Sequence, residues 1–382
     1  MPDRRLRLFT CNKCSFQRHR FLLAMVAVLC LISLAGPTSL AAQSPSLITA
    51  FGVPGSPGVV AAGSAGSVWF TLPAEGGIGE LRLAGDGVAT VQVQDAGNGC
   101  SPSDLLYSTG AVWWICSSGE HIVRRDAASG DTRSYRLVSR VLVPIVSAGP
   151  NGGGAGTLVS SGPRAMPHLA MHATAPNEIW FTLPASGQIG RLTVGADLTA
   201  AGLSHYAVPG DLPEPHDIAL QSSTRVWITV PNQARLYQLQ VGTGRFYAVA
   251  TGAGSQPWSL SLDDGSPWFT DIAGNRVGNW NPSTLSIVVW RTLPREGSVP
   301  HDLAVHGGYV WFSEQAGHRL GRFSTSSYRA IEETGLPGGS PSPTGVSVDA
   351  SGAVWVAAPG TNQLLRWQPP YFRWLHIPLV TR

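Results

Sequence analysis

Seven times along this chain a Trp sits in an apolar run, and each time a Pro stands eleven to thirteen residues before it. The tryptophans are Trp69, Trp113, Trp180, Trp227, Trp268, Trp311 and Trp355. The prolines are Pro57, Pro102, Pro167, Pro215, Pro257, Pro300 and Pro343. Five of the six intervals between these tryptophans fall between 41 and 47 residues, and the other is 67. Such a period marks a repeat architecture, in which each unit buries its apolar surface against its neighbours. It lets a chain of 382 residues form one body.

The repeat around Trp311 spells out the unit. Residues 300–305 alternate in polarity, and Gly307-Gly308 turns the chain. Residues 309–313, 319–323 and 328–331 supply three more short apolar runs. Four short strands with turns between them read as one antiparallel sheet. One such sheet exposes both faces, whereas seven arranged around an axis bury most of both. The expected fold is therefore all-β, a seven-bladed β-propeller of four-stranded antiparallel blades spanning residues 46–380. The repeated Trp should fill the core between blades. Gly79, Gly190, Gly278 and Gly321, each after a third-strand aliphatic residue, point to close backbone approach between blades. Both chain ends offer an outer strand, at 47–51 and 372–377, and the sequence leaves open which one closes the ring. The long interval holds a Gly-rich insertion at 139–166, between blades 2 and 3. Loops of that length are usually functional or disordered.

The first 42 residues have a different character. Six basic residues precede the apolar run 21–34, and small residues follow at Ser39, Ala41 and Ala42. That order predicts a secretory signal peptide over 1–42, cleaved near Ala42, and hence a secreted or extracytoplasmic protein. An apolar run of 14 residues is short for a membrane span, which needs about 20. The mature chain is expected to have none. The chain carries 26 Lys+Arg and 23 Asp+Glu, of which six and one lie in 1–42, leaving 20 basic and 22 acidic residues. No basic stripe remains to bind nucleic acid. Cys100 and Cys116 remain after cleavage, an even pair in an oxidising compartment. A disulfide between them is the expectation, and two separate thiols the other reading, because spacing alone does not supply the geometry.

The residue after each repeated Pro should stand at the start of an inner strand, beside the channel mouth. That series is Gly58, Ser103, His168, His216, Trp258, His301 and Thr344. Three of the chain's ten His fall in it. The residue three after each Trp ends a second strand, which returns to the same face. That series is Leu72, Cys116, Leu183, Val230, Asp271, Glu314 and Ala358. Imidazoles, an indole and carboxylates should thus converge on one concave surface, the usual form of a ligand site. There is no G-x-S-x-G elbow. Lys13 is the sole Lys, so there is no P-loop.

The repeat resembles that of the virginiamycin B lyase (streptogramin lyase) family, whose blades read P-H-x-I, then W-F-T-E, then I-G-R. The matching segments are Val68-Trp69-Phe70-Thr71, Ile179-Trp180-Phe181-Thr182, Trp268-Phe269-Thr270-Asp271, Trp311-Phe312-Ser313-Glu314, Ile189-Gly190-Arg191 and Leu320-Gly321-Arg322. The resemblance implies a carbon–oxygen lyase that opens a cyclic depsipeptide at its ester by elimination with Mg²⁺. A base takes the proton α to a carbonyl and the metal stabilises the enolate. Met166-Pro167-His168 followed by Glu214-Pro215-His216 matches the family's order. By that match His168 contacts substrate, His216 is the base and Glu214 a metal ligand. The second acid is absent after Trp227, where Val230 stands. The other register pairs His301 as base with Glu314, and Val299 replaces the first acid.

Two functions follow. One is a secreted lyase-like enzyme with His216 or His301 as base. Ser103, His168 and Trp258 would be its ligand contacts, and Glu214, Glu314 and Asp271 its Mg²⁺ ligands. The other is a non-catalytic secreted binding propeller that uses the same mouth and the 139–166 loop. Either way the partner is a small molecule or peptide, and the chain is expected to be a monomer.

Overall fold

The computed structural model describes residues 48–64, 66–97, 99–137, 165–281, 286–326 and 330–368. The signal peptide expected at 1–42, most of the insertion and the strand expected at 372–377 lie outside the described residues.

Seven sheets of four strands follow one another along the chain, every pairing antiparallel. Blade 1 runs from Val60–Ala62 through Ser67–Leu72 and Gly77–Leu83 to Ala89–Asp95. The second strands of blades 2 to 7 are Ala111–Cys116, Ala175–Leu183, Arg225–Val230, Ser266–Asp271, Tyr309–Glu314 and Val354–Ala358. Each inner strand packs against that of the next blade, and the inner strand of blade 7 meets that of blade 1, so the ring closes.

Closure uses the N-terminal strand. Ile48–Gly52 pairs with Gln363–Trp367, the third strand of blade 7, in a register from Ile48↔Trp367 to Gly52↔Gln363. The outer edge of the last blade is thus taken by residues that precede the first. Phe51 lies 5.6 Å from the Trp355 ring, ring centre to ring centre.

The Trp column fills the gaps between blades. Each of the seven gaps holds a cluster of buried apolar side chains, and each cluster contains one Trp of the column. None of these Trp is more than 5% exposed. Period-2 alternation explains the arrangement. Trp113 faces blade 3, where it meets Phe181, the residue after that blade's own Trp. Trp355 likewise meets Phe70 of blade 1. One residue of each second strand thus faces forward and the next faces back. Where the third strand supplies Arg directly across from the Trp, the guanidinium lies over the indole. Arg124, Arg191, Arg322 and Arg366 do so at 5.1 to 5.8 Å. Such contacts contribute about 0.5–1 kcal/mol each at exposed sites.

The third-strand glycines serve a contact different from the expected one. Gly79, Gly190, Gly278 and Gly321 pair directly with Phe70, Phe181, Phe269 and Phe312 of the same blade. The phenyl ring covers the place a Cβ would take. The close approach is therefore between a ring and a backbone within one sheet. Gly321→Ala should destabilise the protein by about 1–3 kcal/mol through overpacking. Adding Phe312→Leu should recover part of that loss. Denaturant unfolding of the single and double variants measures both.

Candidate functional site

The inner strands begin with a recurring local device. Two residues after the repeated Trp, blades 1 and 3 to 6 carry Thr71, Thr182, Thr229, Thr270 and Ser313. Each hydroxyl accepts a backbone N–H from the inner strand of its own blade: Val59, His168, Asp217, Ser259 and Asp302, at 2.8 to 3.0 Å. Four of them also donate to the carbonyl of the post-Pro residue in the next blade. Thr182 reaches His216, Thr229 reaches Trp258, Thr270 reaches His301 and Ser313 reaches Thr344, at 2.8 to 3.2 Å. Thr344 itself donates to Gly58 O at 2.6 Å, and Ser103 to Pro167 O at 2.8 Å. The post-Pro backbone is thereby fixed around the axis, and its side chains are aimed by it.

Four of those side chains form a row of rings from consecutive blades. His168 and His216 lie 4.4 Å apart, His216 and Trp258 3.7 Å, and Trp258 and His301 6.0 Å. They line one cavity of about 240 Å³. The small residues Gly58, Thr344 and Gly345 line it too. The expected convergence of the post-Pro column is found for these rings. Ser103 does not line the cavity; its hydroxyl is held by Pro167 O.

Three carboxylates at the same level were not singled out from the sequence. Asp104, Asp217 and Asp302 line the cavity. They stand two residues after the Pro of repeats 2, 4 and 6, so a P-x-D pattern in alternate repeats was the available signal. Each bridges to the next blade by accepting its inner-strand N–H: Leu169 N to Asp104 at 2.7 Å, Leu260 N to Asp217 at 2.6 Å and Val346 N to Asp302 at 2.7 Å.

These neighbours set the three imidazoles apart. Burial opposes a charge on His168, but Asp104, Asp217 and Asp302 outweigh it and push its pKa up to about 9. His168 Nδ1 lies 3.5 Å from Asp104 Oδ2 and 3.8 Å from Asp217 Oδ1. His216 is 2% exposed. Burial, then the His168 and His301 rings, hold its pKa well below the ordinary value. Its Nδ1 accepts the Met166 N–H at 3.3 Å, so the neutral ring carries its proton on Nε2. Burial also brings His301 down to about 4, against the pull of the Thr344 backbone. Burial lifts Asp302 to about 7, although the Ser259 hydroxyl at 2.6 Å pulls the other way.

The expected carboxylate column lies elsewhere. Asp271 and Glu314 do pair across from Pro257 and Pro300, but neither lines the cavity. Asp271 is fully buried and accepts from Ser255 Oγ, Gln256 N, Gly274 N and Arg276 Nε at 2.8 to 3.0 Å. Glu314 is fully buried and faces Ser298, and burial raises its pKa. Cys116 occupies the same place in blade 2 and is bonded to Cys100, with a Cα–Cα distance of 5.1 Å. Cys100, Ser255 and Ser298 each stand two residues before the repeated Pro. Position Trp+3 is therefore a clasp on the loop entering the inner strand, made once by a disulfide and once by a hydrogen-bonded carboxylate. Glu214 is half-buried, and its N–H donates to Asn232 Oδ1 at 3.1 Å. Among the described residues no group of three or more His, Cys, Asp or Glu is arranged to hold a metal ion. The expected Mg²⁺ ligands Glu214, Glu314 and Asp271 are thus not gathered into one donor set.

No protein-family model and no curated protein matches the chain. Solved structures do. A streptogramin B lyase aligns at 22% identity and TM-score 0.66, covering 84% of this chain and 96% of that one. A catalytically inactive virginiamycin B lyase from Staphylococcus aureus with quinupristin aligns at 21% identity and TM-score 0.65, covering 84% and 98%. The β-propeller domain of Cps50 (Swd1) from Myceliophteria thermophila aligns at 12% identity and TM-score 0.64, covering 84% and 98%. The chain therefore has the streptogramin-lyase-like propeller fold, and that fold is shared with other propellers.

Two measurements test the site's energetics. Replacing both Cys100 and Cys116 by Ser should cost about 3 kcal/mol on the chain-entropy account, read by denaturant unfolding. His168 holds a proton in the folded state that the unfolded chain releases above its ordinary pKa of 6.5. Its stabilising effect is complete below that pH and is lost as pH rises through about 9. The stability gap between wild type and His168→Gln should therefore shrink from pH 6.5 to pH 10, as followed by thermal melts.

Proposed function

We propose that this chain is an exported, streptogramin-lyase-like enzyme that binds a cyclic peptide or ester at the axial cavity and opens it by elimination. The observation that carries this reading is the row of imidazoles on one cavity, one held charged and two held neutral. Environments that push titratable groups apart assign acid and base roles. Neutral His301 takes the proton from a carbon that is α to an amide carbonyl and adjacent to the carbon bearing the ester oxygen. The His168 imidazolium donates a hydrogen bond to the carbonyl oxygen as charge develops there. A carbon–carbon double bond forms, the ester C–O bond breaks, and the carboxylate leaves. His216, with Nδ1 bonded to Met166, offers a donor at Nε2 and with Trp258 forms the wall that orients the ligand. Asp271 has its carboxylate oxygens committed to four donors, so the enolate oxygen is assigned to His168.

A second reading is a secreted binding propeller that uses the same cavity without turnover. It is favoured by the low pKa of the neutral imidazoles, because a general base works best near the operating pH. Mature protein incubated with quinupristin, with and without Mg²⁺, separates the two by mass spectrometry. A linear product of unchanged mass, lost in His301→Ala, is the expected result. Gain of one water means hydrolysis and overturns elimination. An intact ring with saturable heat in calorimetry selects the binding propeller.

A further inference from the structure

The geometry points to Asp104 and Asp217 as positioning residues for His168: they hold its Nδ1 and leave Nε2–H as the donor that selects a ligand by a carbonyl or carboxylate oxygen. The inference rests on the axial cavity being the ligand site. Its basis is the way two carboxylates bracket one ring nitrogen. Asp104 comes from blade 2 and Asp217 from blade 4, on either side of the blade that supplies His168, and both lie within ion-pair distance of Nδ1.

Neither carboxylate is free to turn away. Asp104 accepts from Leu105 N at 2.8 Å and Leu169 N at 2.7 Å. Asp217 accepts from Ile218 N at 2.7 Å and Leu260 N at 2.6 Å. The acceptors are therefore fixed by the backbone of four consecutive blades, and the ring is set against them. Asp302 also acts on His168, anchored by Leu303 N, Val346 N and Ser259 Oγ at 2.6 to 2.8 Å. The remaining titratable neighbours are His216 and His301, both held neutral. The His168 side chain keeps 20% of its surface exposed, so it is reachable from the cavity.

A protonated ring whose Nδ1 faces two carboxylates at ion-pair distance has one other polar atom to offer, and it is a donor. An acceptor oxygen completes that site, whereas a cationic ligand meets repulsion from the imidazolium. Buried groups built to hydrogen-bond a ligand reject analogues that lack the partner atom. Selection by a carbonyl or carboxylate oxygen follows, independently of whether the bound ligand is then turned over.

The test is an NMR titration of isotope-labelled His in the full mature protein, with His168→Gln assigning the resonance. One ring should keep its proton to about pH 9. In Asp104→Asn that midpoint should fall by about 1–3 pH units, with a smaller fall in Asp217→Asn, while thermal melts show both variants folded. Acetate, as probe, should shift the His168 resonance saturably at pH 7 and lose its effect above the midpoint. A His168 midpoint near 6.5 in the wild type overturns the inference, as does a midpoint unmoved in both variants. Saturable binding of tetramethylammonium in place of acetate overturns it too. None of these readouts depends on opening of quinupristin, so failure of the lyase reading is seen separately.

Discussion

In five of the seven blades the hydroxyl two residues after the repeated Trp ties the inner strands together at the centre of the ring. Crowded inner strands bring backbone groups into a space that water cannot serve. An unpaired buried carbonyl or amide there costs about 1–3 kcal/mol. One Thr or Ser answers twice, accepting an amide from its own blade and donating to a carbonyl of the next. The apolar clusters between blades resist separation, but they are tolerant of sliding. The hydroxyls are directional, and they fix the relative rotation of the blades they join. The post-Pro side chains inherit that rotation, so the cavity depends on atoms that never line it.

Charge is partitioned in the cavity by distance from the carboxylates. All three imidazoles are buried enough for desolvation to drive them neutral. Asp104 and Asp217 reverse that outcome at His168, and the cation so made presses further on His216. Burial raises the pKa of Asp302 and Asp217, and the backbone amides they accept pull the other way. One local motif, P-x-D in alternate repeats, therefore joins blades in pairs and holds the proton on His168.

The ring was legible because its causes are local and repeated. A Trp every forty-odd residues and alternating short runs leave few ways to bury the apolar faces. The rings of His168, His216, Trp258 and His301 were legible for the same reason, since position in the repeat fixes position at the mouth. Orientation was harder. Asp271 and Glu314 return to the right level of the blade, but strand alternation turns them toward the entering loop, and one residue of register decides the difference. The aspartates were passed over because their role is set by an amide in the next blade, which no pattern within one repeat displays. The N-terminal strand won the outer edge of blade 7 through pairing across the whole chain, a contact that spacing does not rank.

That last pairing has a consequence in time. Ile48 finds Trp367 as its partner, so the first strand of the ring to be made is the last to be used. At ribosomal rates of about 5–20 residues per second, it waits on the order of half a minute with its edge unpaired. Blade 7 in turn has an open flank until that strand arrives, and open flanks are where chains join one another. The rest of the ring can grow blade by blade from local contacts. Its final step is long-range, and the edge it closes is one that the same strand of a second chain would also fit.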